Sequence, residues 1–545
     1  MQKLLFIIPP NTTYESFVFP NIMDNITIHN FKNYVYPVTD MPLGIISLSS
    51  YLKKYINVEI KLIDFNVIIN KLNTFNYESF KLLYIDYFLK ELNNFIPDYI
   101  GISCLFSTMY FNMIDIANII KEMFPKSILI AGGGVPTNAY KKIFKDTNVF
   151  DALCFGEGEK PLLNLLKSEN KKEYFNLSSS WITKEKSSII FQYDYIIDLD
   201  EIPFYDYDLL DLKGYTLNPT PESYFKYKDK SHLFYYATSR GCPNNCCFCA
   251  SSSVHGKKMR YHSTERVKKD LNILKTKYKA EIVSLQDDHL MFKKNRLEDI
   301  LLYSKEIDLQ LFFQTGVTLK SLDKKTLEFL KNCGFNDLVL PMESGSERVL
   351  KEIMYKPVNL SIARQVAQDC RELDIFTTAN IIIGLPGETK KDIEDTKTFL
   401  KSIDVNWFKF LIATPLVGSE FYKICIDNKY LDEDFIGGDF KNAIVDTNDF
   451  TKEELTKIIY DLNLEINFIE NSDMRLGYYV KALDRFKEVI EVKNDHAFAY
   501  YFAAKCCYYL KFYEDYFIYK NKYQLIIAKS KFWKDYSLQF NLTEL

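Results

Sequence analysis

The chain has 545 residues, 47% hydrophobic and 26% charged, an ordinary globular balance that predicts two to four domains with substantial cores. Its formal net charge of −4, with no long basic run, argues against non-specific nucleic-acid binding. No apolar stretch approaches the roughly 20 residues that a membrane helix needs, so a soluble, cytoplasmic protein with no membrane partner is expected. In that compartment clustered cysteines are expected to bind metal or do chemistry rather than to pair as disulfides.

The start, MQKLLFIIPPNTT, has an apolar run of only LLFII before Pro9 and Pro10 and carries no small-residue cleavage site. It reads as a first β-strand ending in a turn, not as a secretion signal. KLLFIIP, VEIKLIDF, YIGISCL and SILIAGG are strand-like, and LGIISLSSYLKKY and MIDIANIIKEMF have helical periodicity. Residues 1–195 are therefore expected to form a doubly wound parallel sheet with Rossmann-like α/β topology. Ligands of such sheets lie beyond the carboxyl ends of the strands, which places Ser103, Leu105 and Gly132 to Gly134 at the candidate site. The glycines could equally form a tight turn without a ligand.

Residues 196–230 lose this rhythm, gain Pro, Asp and Tyr, and read as a linker. Six further strand-like runs follow in residues 231–440: HLFYYATS, EIVSLQDD, LQLFFQTGV, DLVLPMESG, TTANIIIGLPGE and NWFKFLIATP. Helical stretches separate most of them, which predicts a partial or full β/α barrel of the TIM type with its chemistry at the C-terminal strand ends. Residues 441–545 become helical. There Gly477, Tyr479, Ala482, Phe486 and Val489 fit one tetratricopeptide-like repeat register, within about 470–520, with Asn494 where a Pro is usual. The competing expectation is a helical cap with a chance match.

SRGCPNNCCFCASS, residues 239–252, sets Cys242, Cys246 and Cys249 at a C-x3-C-x2-C spacing directly after a strand and a Gly. Cys247, the neighbour of Cys246, would tend to point elsewhere. A structural zinc site needs four ligands, commonly from two well-separated knuckles, and only isolated residues such as His255 and His262 are offered. Three thiolates instead suit a 4Fe–4S cluster with one iron left open for a substrate or cofactor.

This loop, with Phe248 just before the last cysteine, resembles that of the radical S-adenosylmethionine (SAM) enzymes. The resemblance implies that Cys242, Cys246 and Cys249 hold the cluster. It implies also that the open iron binds SAM and that one electron from the cluster yields a 5′-deoxyadenosyl radical. Phe248 would then lie near the adenine, unless it is simply a core aromatic. QDDHLMF resembles the segment after the second strand, where Asp287 or Asp288 would sit near the SAM ammonium and the other would be free to cap the following helix. PMESGSERVLK resembles the fourth-strand segment, with Glu343 and Ser344 at the SAM ribose or methionine portion. IIIGLPGE resembles the fifth-strand glycine motif, with Gly384 permitting close approach to adenine or merely turning the chain.

Ser103-Cys104-Leu105 and Gly132-Gly133 resemble elements of cobalamin-binding domains, as do MPLGIISLSSYL and DALCFGEGEKPLLNLL. The resemblance to cobalamin-domain radical SAM enzymes covers residues 1 to about 440. The D-x-H-x-x-G element that supplies a cobalt ligand is absent, and His29, the sole histidine before residue 230, lacks that context. Any cobalamin would thus have no protein imidazole below it. The resemblance implies a methylase acting on an unactivated carbon or phosphorus centre of a small-molecule, carrier-bound or peptide substrate. It also implies an electron donor such as flavodoxin or ferredoxin, while the C-terminal helices are candidates for protein contact. The alternatives are cyclisation or rearrangement without methyl transfer, and an iron–sulfur redox sensor that binds a partner. No general base is assigned, and Cys333 and Cys425 are expected to be buried small hydrophobes.

Overall fold

A computed structural model of the chain describes residues 1–20, 26–29, 32–187, 190–223, 232–313, 315–432, 435–438 and 443–542. Strand β1 (Gln2–Ile8) is buried from Leu4 onward, as a parallel strand covered by helices on both faces requires. Strands β2 (Ile26–His29) and β3 (Lys32–Val35) form an antiparallel hairpin marked by no turn signal in the sequence. The His29 side chain lies outside the described residues. Strands β4 (Val58–Asp64), β5 (Tyr99–Ser103), β6 (Ile128–Gly132) and β7 (Ala152–Cys154) extend β1 into a parallel sheet, and β8 (Trp181–Ile182) adds an antiparallel edge. The order is β4-β1-β5-β6-β7-β8, so the winding reverses between β1 and β5 and opens a crevice at their carboxyl ends. Helices Leu43–Tyr55 and Tyr110–Met123 stand where the periodicity predicts them.

The expected linker is a run of short turns pinned to both halves of the molecule; its residues 224–230 lie outside the described residues. The Tyr207 hydroxyl donates to the Tyr235 carbonyl at 2.6 Å, and the Tyr215 hydroxyl donates to Asp64 Oδ2 at 2.9 Å. The second series comprises β9 (Leu233–Tyr236), a small ribbon of β10 (Ser239–Arg240) and β11 (Arg260–Tyr261), then β12 (Ile282–Leu285), β13 (Gln310–Phe312), β14 (Asp337–Glu343), β15 (Phe376–Ile383) and β16 (Trp407–Ile412). The six long strands fall into two parallel sheets, β13-β12-β9 and β14-β15-β16, and among the described residues no ladder joins β13 to β14. The chain is an α/β protein of parallel sheets and many helices. No helix among the described residues is long and apolar enough to cross a membrane.

Helices after residue 450 are built into the second series. The boundary expected at 440 lies outside the described residues. Leu455 of helix Lys452–Leu464 joins the main core. The Asn467 side chain exchanges hydrogen bonds with the Phe408 backbone at 2.9 and 2.8 Å. Asp473 accepts from Asn406 and from Arg371. Arg485, on helix Tyr479–Val492, lies 4.9 Å from the Trp407 ring centre, so the strand-start end of β16 is covered by C-terminal side chains.

Candidate functional site

The ribbon β10–β11 joins the two ends of the cysteine loop, pairing Ser239 with Tyr261 and Arg240 with Arg260. Gly241 leaves it at φ +97°, and a Cβ there would meet the Lys258 carbonyl oxygen at 2.6 Å. Its N–H donates to Asp288 Oδ2 at 2.9 Å, and the Cys242 N–H donates to the Gly256 carbonyl at 3.2 Å. Within this neck the Cys249 N–H donates to the Cys246 carbonyl. Cys242 and Cys246 are half-buried and Cys249 is exposed. Cys247 is buried among Val349, Leu350, Met354 and Phe421, its N–H donating to the Met354 carbonyl and its carbonyl accepting from the Phe421 N–H. Neighbouring cysteines thus face different surroundings, as adjacent residues on a tight loop must.

All eleven cysteines are free thiols. Burial raises the pKa of Cys242 and pushes Cys246 up to about 11, while the Lys356 ammonium acts on both in the opposite sense. Burial pushes Cys247 up to about 12, with Cys246 and Glu420 acting in the same sense. A cation near the thiols is what thiolate ligands need, and Cys247 lacks that help. Among the described residues no three His, Cys, Asp or Glu side chains stand close enough to hold one metal ion. A cubane attaches each thiolate to a different iron and so takes ligands set farther apart. His255 and His262 are committed elsewhere, through Nδ1 to Glu157 at 2.9 Å and to Asp200 at 3.2 Å. The donor set therefore fits a cluster held by three cysteines better than a zinc site.

Lys356 organises one side of the loop. Its Nζ donates to Glu343 Oε1 at 2.9 Å and lies 5.7 Å from the Phe248 ring centre. Burial works against its charge, but Glu343 and the thiols of Cys246 and Cys249 outweigh it and raise its pKa. Glu343 ends β14 after a register shift, at φ +67°, a strained conformation for a non-glycine residue. Asp287 and Asp288 divide their work. Asp287 is buried under the end of β9, accepting from the Thr238 N–H, the Thr238 hydroxyl and Ser239, whereas Asp288 holds the neck of the cysteine loop.

Ser344 and Gly384 are occupied by the chain itself. The Ser344 hydroxyl is fully buried, 3.1 Å from Thr396 Oγ1, and accepts from the Ser346 N–H. At Gly384, φ +101°, a Cβ would collide with Leu455 Cδ2. The Gly384 N–H donates to Glu388 Oε2 at 2.6 Å, while Glu388 Oε1, fully buried, has no hydrogen-bond partner among the described residues. Burial raises the Glu388 pKa to about 7, against the hydrogen bonds from Gly384 and Leu385 that lower it. A carboxyl whose folded pKa is raised binds its proton more tightly in the native state. Its stabilising contribution is whole below the ordinary value of 4.5 and falls as pH rises to about 7. Glu388→Gln keeps the acceptor and removes the titration. Relative to wild type the variant should gain stability from pH 4.5 to 7, by about 3 kcal/mol at most, in urea melts across that range. A constant difference would refute this.

The second constellation lies at the strand ends of the first sheet. Ser103 ends β5 opposite Gly132. A Cβ on Gly133, φ +112°, would meet the Cys104 carbonyl oxygen at 2.6 Å, so the turn is glycine because the chain folds tightly on itself. Beside it Leu105, Phe106 and Phe111 are more than half exposed. An apolar ledge next to an edge without side chains fits the broad face of a corrin.

Between the two constellations runs a buried ion network that no motif announced. Glu157, just after β7, binds Arg240 at 3.1 Å, Arg260 at 2.8 Å and His255 at 2.9 Å. Glu159 accepts from Arg240 at 2.8 Å and from Ser47 at 2.6 Å. All four charged groups, Glu157, Glu159, Arg240 and Arg260, are over 90% buried. Burial alone would raise the Glu157 pKa, but Arg240, Arg260 and His255 hold it well below the usual carboxylate range. The arginines flank the cysteine loop on both sides in sequence, so the first sheet grips that loop. Lys356 and this network were missed from sequence; the only available signals were the acidic run GEGE and the Arg before Gly241.

Comparisons with known proteins agree with this division. Residues 36–166 match the B12 binding domain and residues 236–400 the Radical SAM superfamily. The chain is 28% identical over 378 residues to the protein named uncharacterized methyltransferase PH0819 of Pyrococcus horikoshii, covering 68% of this chain and 78% of that one. It is 24% identical over 417 residues to the cytidylyl-2-hydroxyethylphosphonate methyltransferase of Streptomyces wedmorensis, covering 70% and 77%. Among solved structures, the cobalamin-dependent S-adenosylmethionine radical enzyme OxsB, with aqua-cobalamin and S-adenosylmethionine bound, superposes with a TM-score of 0.63 at 15% identity, over 100% of this chain and 82% of that one. That last likeness is one of fold.

Proposed function

We propose that this chain, in which a B12 binding domain precedes a radical SAM domain, is a cobalamin-dependent radical SAM methyltransferase acting on an unactivated carbon or phosphorus centre. The observation that carries this reading is the cysteine loop itself, with Cys242 and Cys246 half-buried, Cys249 exposed and Cys247 turned into the core, gripped by the first sheet. The methyltransferase names of the two relatives support it.

In this reading Cys242, Cys246 and Cys249 hold a 4Fe–4S cluster. The cluster with SAM supplies a 5′-deoxyadenosyl radical, and cobalamin supplies the methyl group. Lys356 lowers the cost of thiolate charge and, with Glu343, frames the place for the amino-acid end of SAM; Phe248 offers an aromatic face beside it. Asp288 holds Gly241 and thereby the orientation of Cys242. Leu105 and Phe106 would offer apolar contact to the corrin beside the Gly132–Gly133 edge, with Ser103 at the tail. Positioning is the main contribution of the protein, since the difficult chemistry belongs to the cofactors.

The organisation that goes with this function is a cobalamin-binding domain over 1–195, a barrel over 231–440 and a helical region over 441–545 with a tetratricopeptide-like pair around 470–520. The substrate is a small molecule or a carrier-bound or peptide group. The electron donor is a flavodoxin or ferredoxin, in a cytoplasmic setting.

Anaerobic reconstitution with iron, sulfide and hydroxocobalamin should give about four irons and one cobalt per chain, followed by a product carrying a methyl group from labelled SAM. Iron without cobalt would refute the methyltransferase reading. Both metals with 5′-deoxyadenosine but no methylated product would favour rearrangement.

A further inference from the structure

The glycine turn of the first sheet and the cysteine loop share a single side chain. Asn138 Nδ2 donates to the Gly134 carbonyl at 2.8 Å and to Ser253 Oγ at 2.8 Å. Ser253 Oγ in turn donates to the carbonyl of Ala250, the residue after Cys249, at 2.7 Å. The two amide hydrogens of Asn138 serve both bonds at once, so the bridge is complete. The Asn138 amide is also fixed from outside. Gly418, after β16, has φ +94°, and a Cβ there would lie 2.5 Å from Asn138 Cγ. The backbone of the second series thus presses the amide into place, and only glycine permits it.

A parallel path runs through Thr137. Its hydroxyl donates to the Gly133 carbonyl at 2.8 Å and accepts from the Gly156 N–H at 3.1 Å, next to Glu157 and the arginines that flank the loop. Each path begins at a carbonyl of the glycine turn; the first ends at Ala250 beside Cys249, and the second leads to the arginines on both sides of the loop. A ligand that settles on the turn restrains its carbonyls, and both paths carry that restraint to the cysteines.

We infer that Asn138 is a positioning residue that ties the glycine turn to the cysteine loop, so that filling the cobalamin site of the first sheet raises the affinity of the cluster site for SAM. This rests on the function proposed above. Linkage makes the effect reciprocal, so SAM must tighten cobalamin binding by the same factor.

The test uses full-length protein with its iron–sulfur cluster reconstituted, as wild type, Asn138→Ala, Ser253→Ala and the double variant. SAM affinity is titrated with and without hydroxocobalamin, and cobalamin affinity is read from its visible spectrum with and without SAM. Wild type should show a coupling of about fivefold or more in both directions. Each single variant should lower it to the same smaller factor, the part that the Thr137 path still carries, while keeping its iron content, and the double variant should lower it no further, because both substitutions cut the same bridge. A wild-type factor of one, or variants that keep the wild-type factor, would overturn the inference. A protein that holds iron and SAM but gives no cobalamin spectrum would instead overturn the functional reading on which it stands.

Discussion

Alanine at Cys242, Cys246 or Cys249 should strip the reconstituted protein of its cluster and reduce SAM cleavage to background, while Cys247→Ala should keep both. A thiolate is a direct iron ligand, and a cubane held by three residues has none to spare. Cys247 sits instead in an apolar cluster with its backbone fastened to Met354 and Phe421. Its replacement removes one buried sulfur and should cost about 1 kcal/mol of stability. Iron and sulfide per chain, with 5′-deoxyadenosine formed under reducing anaerobic conditions, decide the matter. Equal losses in all four variants would contradict the ligand assignment.

Glu157→Ala should lower the stability of the folded chain by about 3–5 kcal/mol, the largest single-residue loss expected outside the hydrophobic core. The substitution leaves the Arg240 and Arg260 guanidiniums buried with Glu159 as the remaining carboxylate beside Arg240. Glu157→Gln fills the space and keeps an acceptor, but still removes the charge. The sign of its pH dependence follows from the depressed pKa of Glu157. The carboxylate stabilises the fold fully above the ordinary value of 4.5, and that contribution fades as pH falls from there through the lower folded value. The advantage of wild type over Glu157→Gln should therefore be constant near neutrality and shrink below pH 4.5. Denaturant midpoints at pH 7 and at pH 4 measure it; a Glu157→Ala loss under 1 kcal/mol would show that the network is neutral.

What sequence made legible follows from the range of the forces involved. The buried strands β1, β5 and β6 are largely runs of apolar residues, and such runs declare themselves within a few positions. The cysteine loop is equally local. Lys356 lies 13 positions beyond Glu343, and Glu157 lies 83 positions before Arg240. No periodicity links such pairs, because only the fold brings them together. Gly384 shows the other way a local reading falls short: its motif was visible, but the group that presses on it is Leu455 of a helix 71 positions away. The hairpin β2–β3 was invisible because neither strand carries a long apolar run. The C-terminal helices were legible as helices, but not as the cover over Trp407.

That cover has a consequence for how the chain is born. Trp407 is buried among Leu464, Phe468, Phe486 and Phe502, so its partners leave the ribosome some 57 to 95 residues after it. Until they emerge, the base of β16 is an uncovered apolar surface on an otherwise completed strand. At usual synthesis rates that interval lasts several seconds, long enough for nascent chains to meet one another or a chaperone. A stalled or prematurely terminated chain ending near residue 440 would carry every cysteine of the loop and still be prone to aggregate.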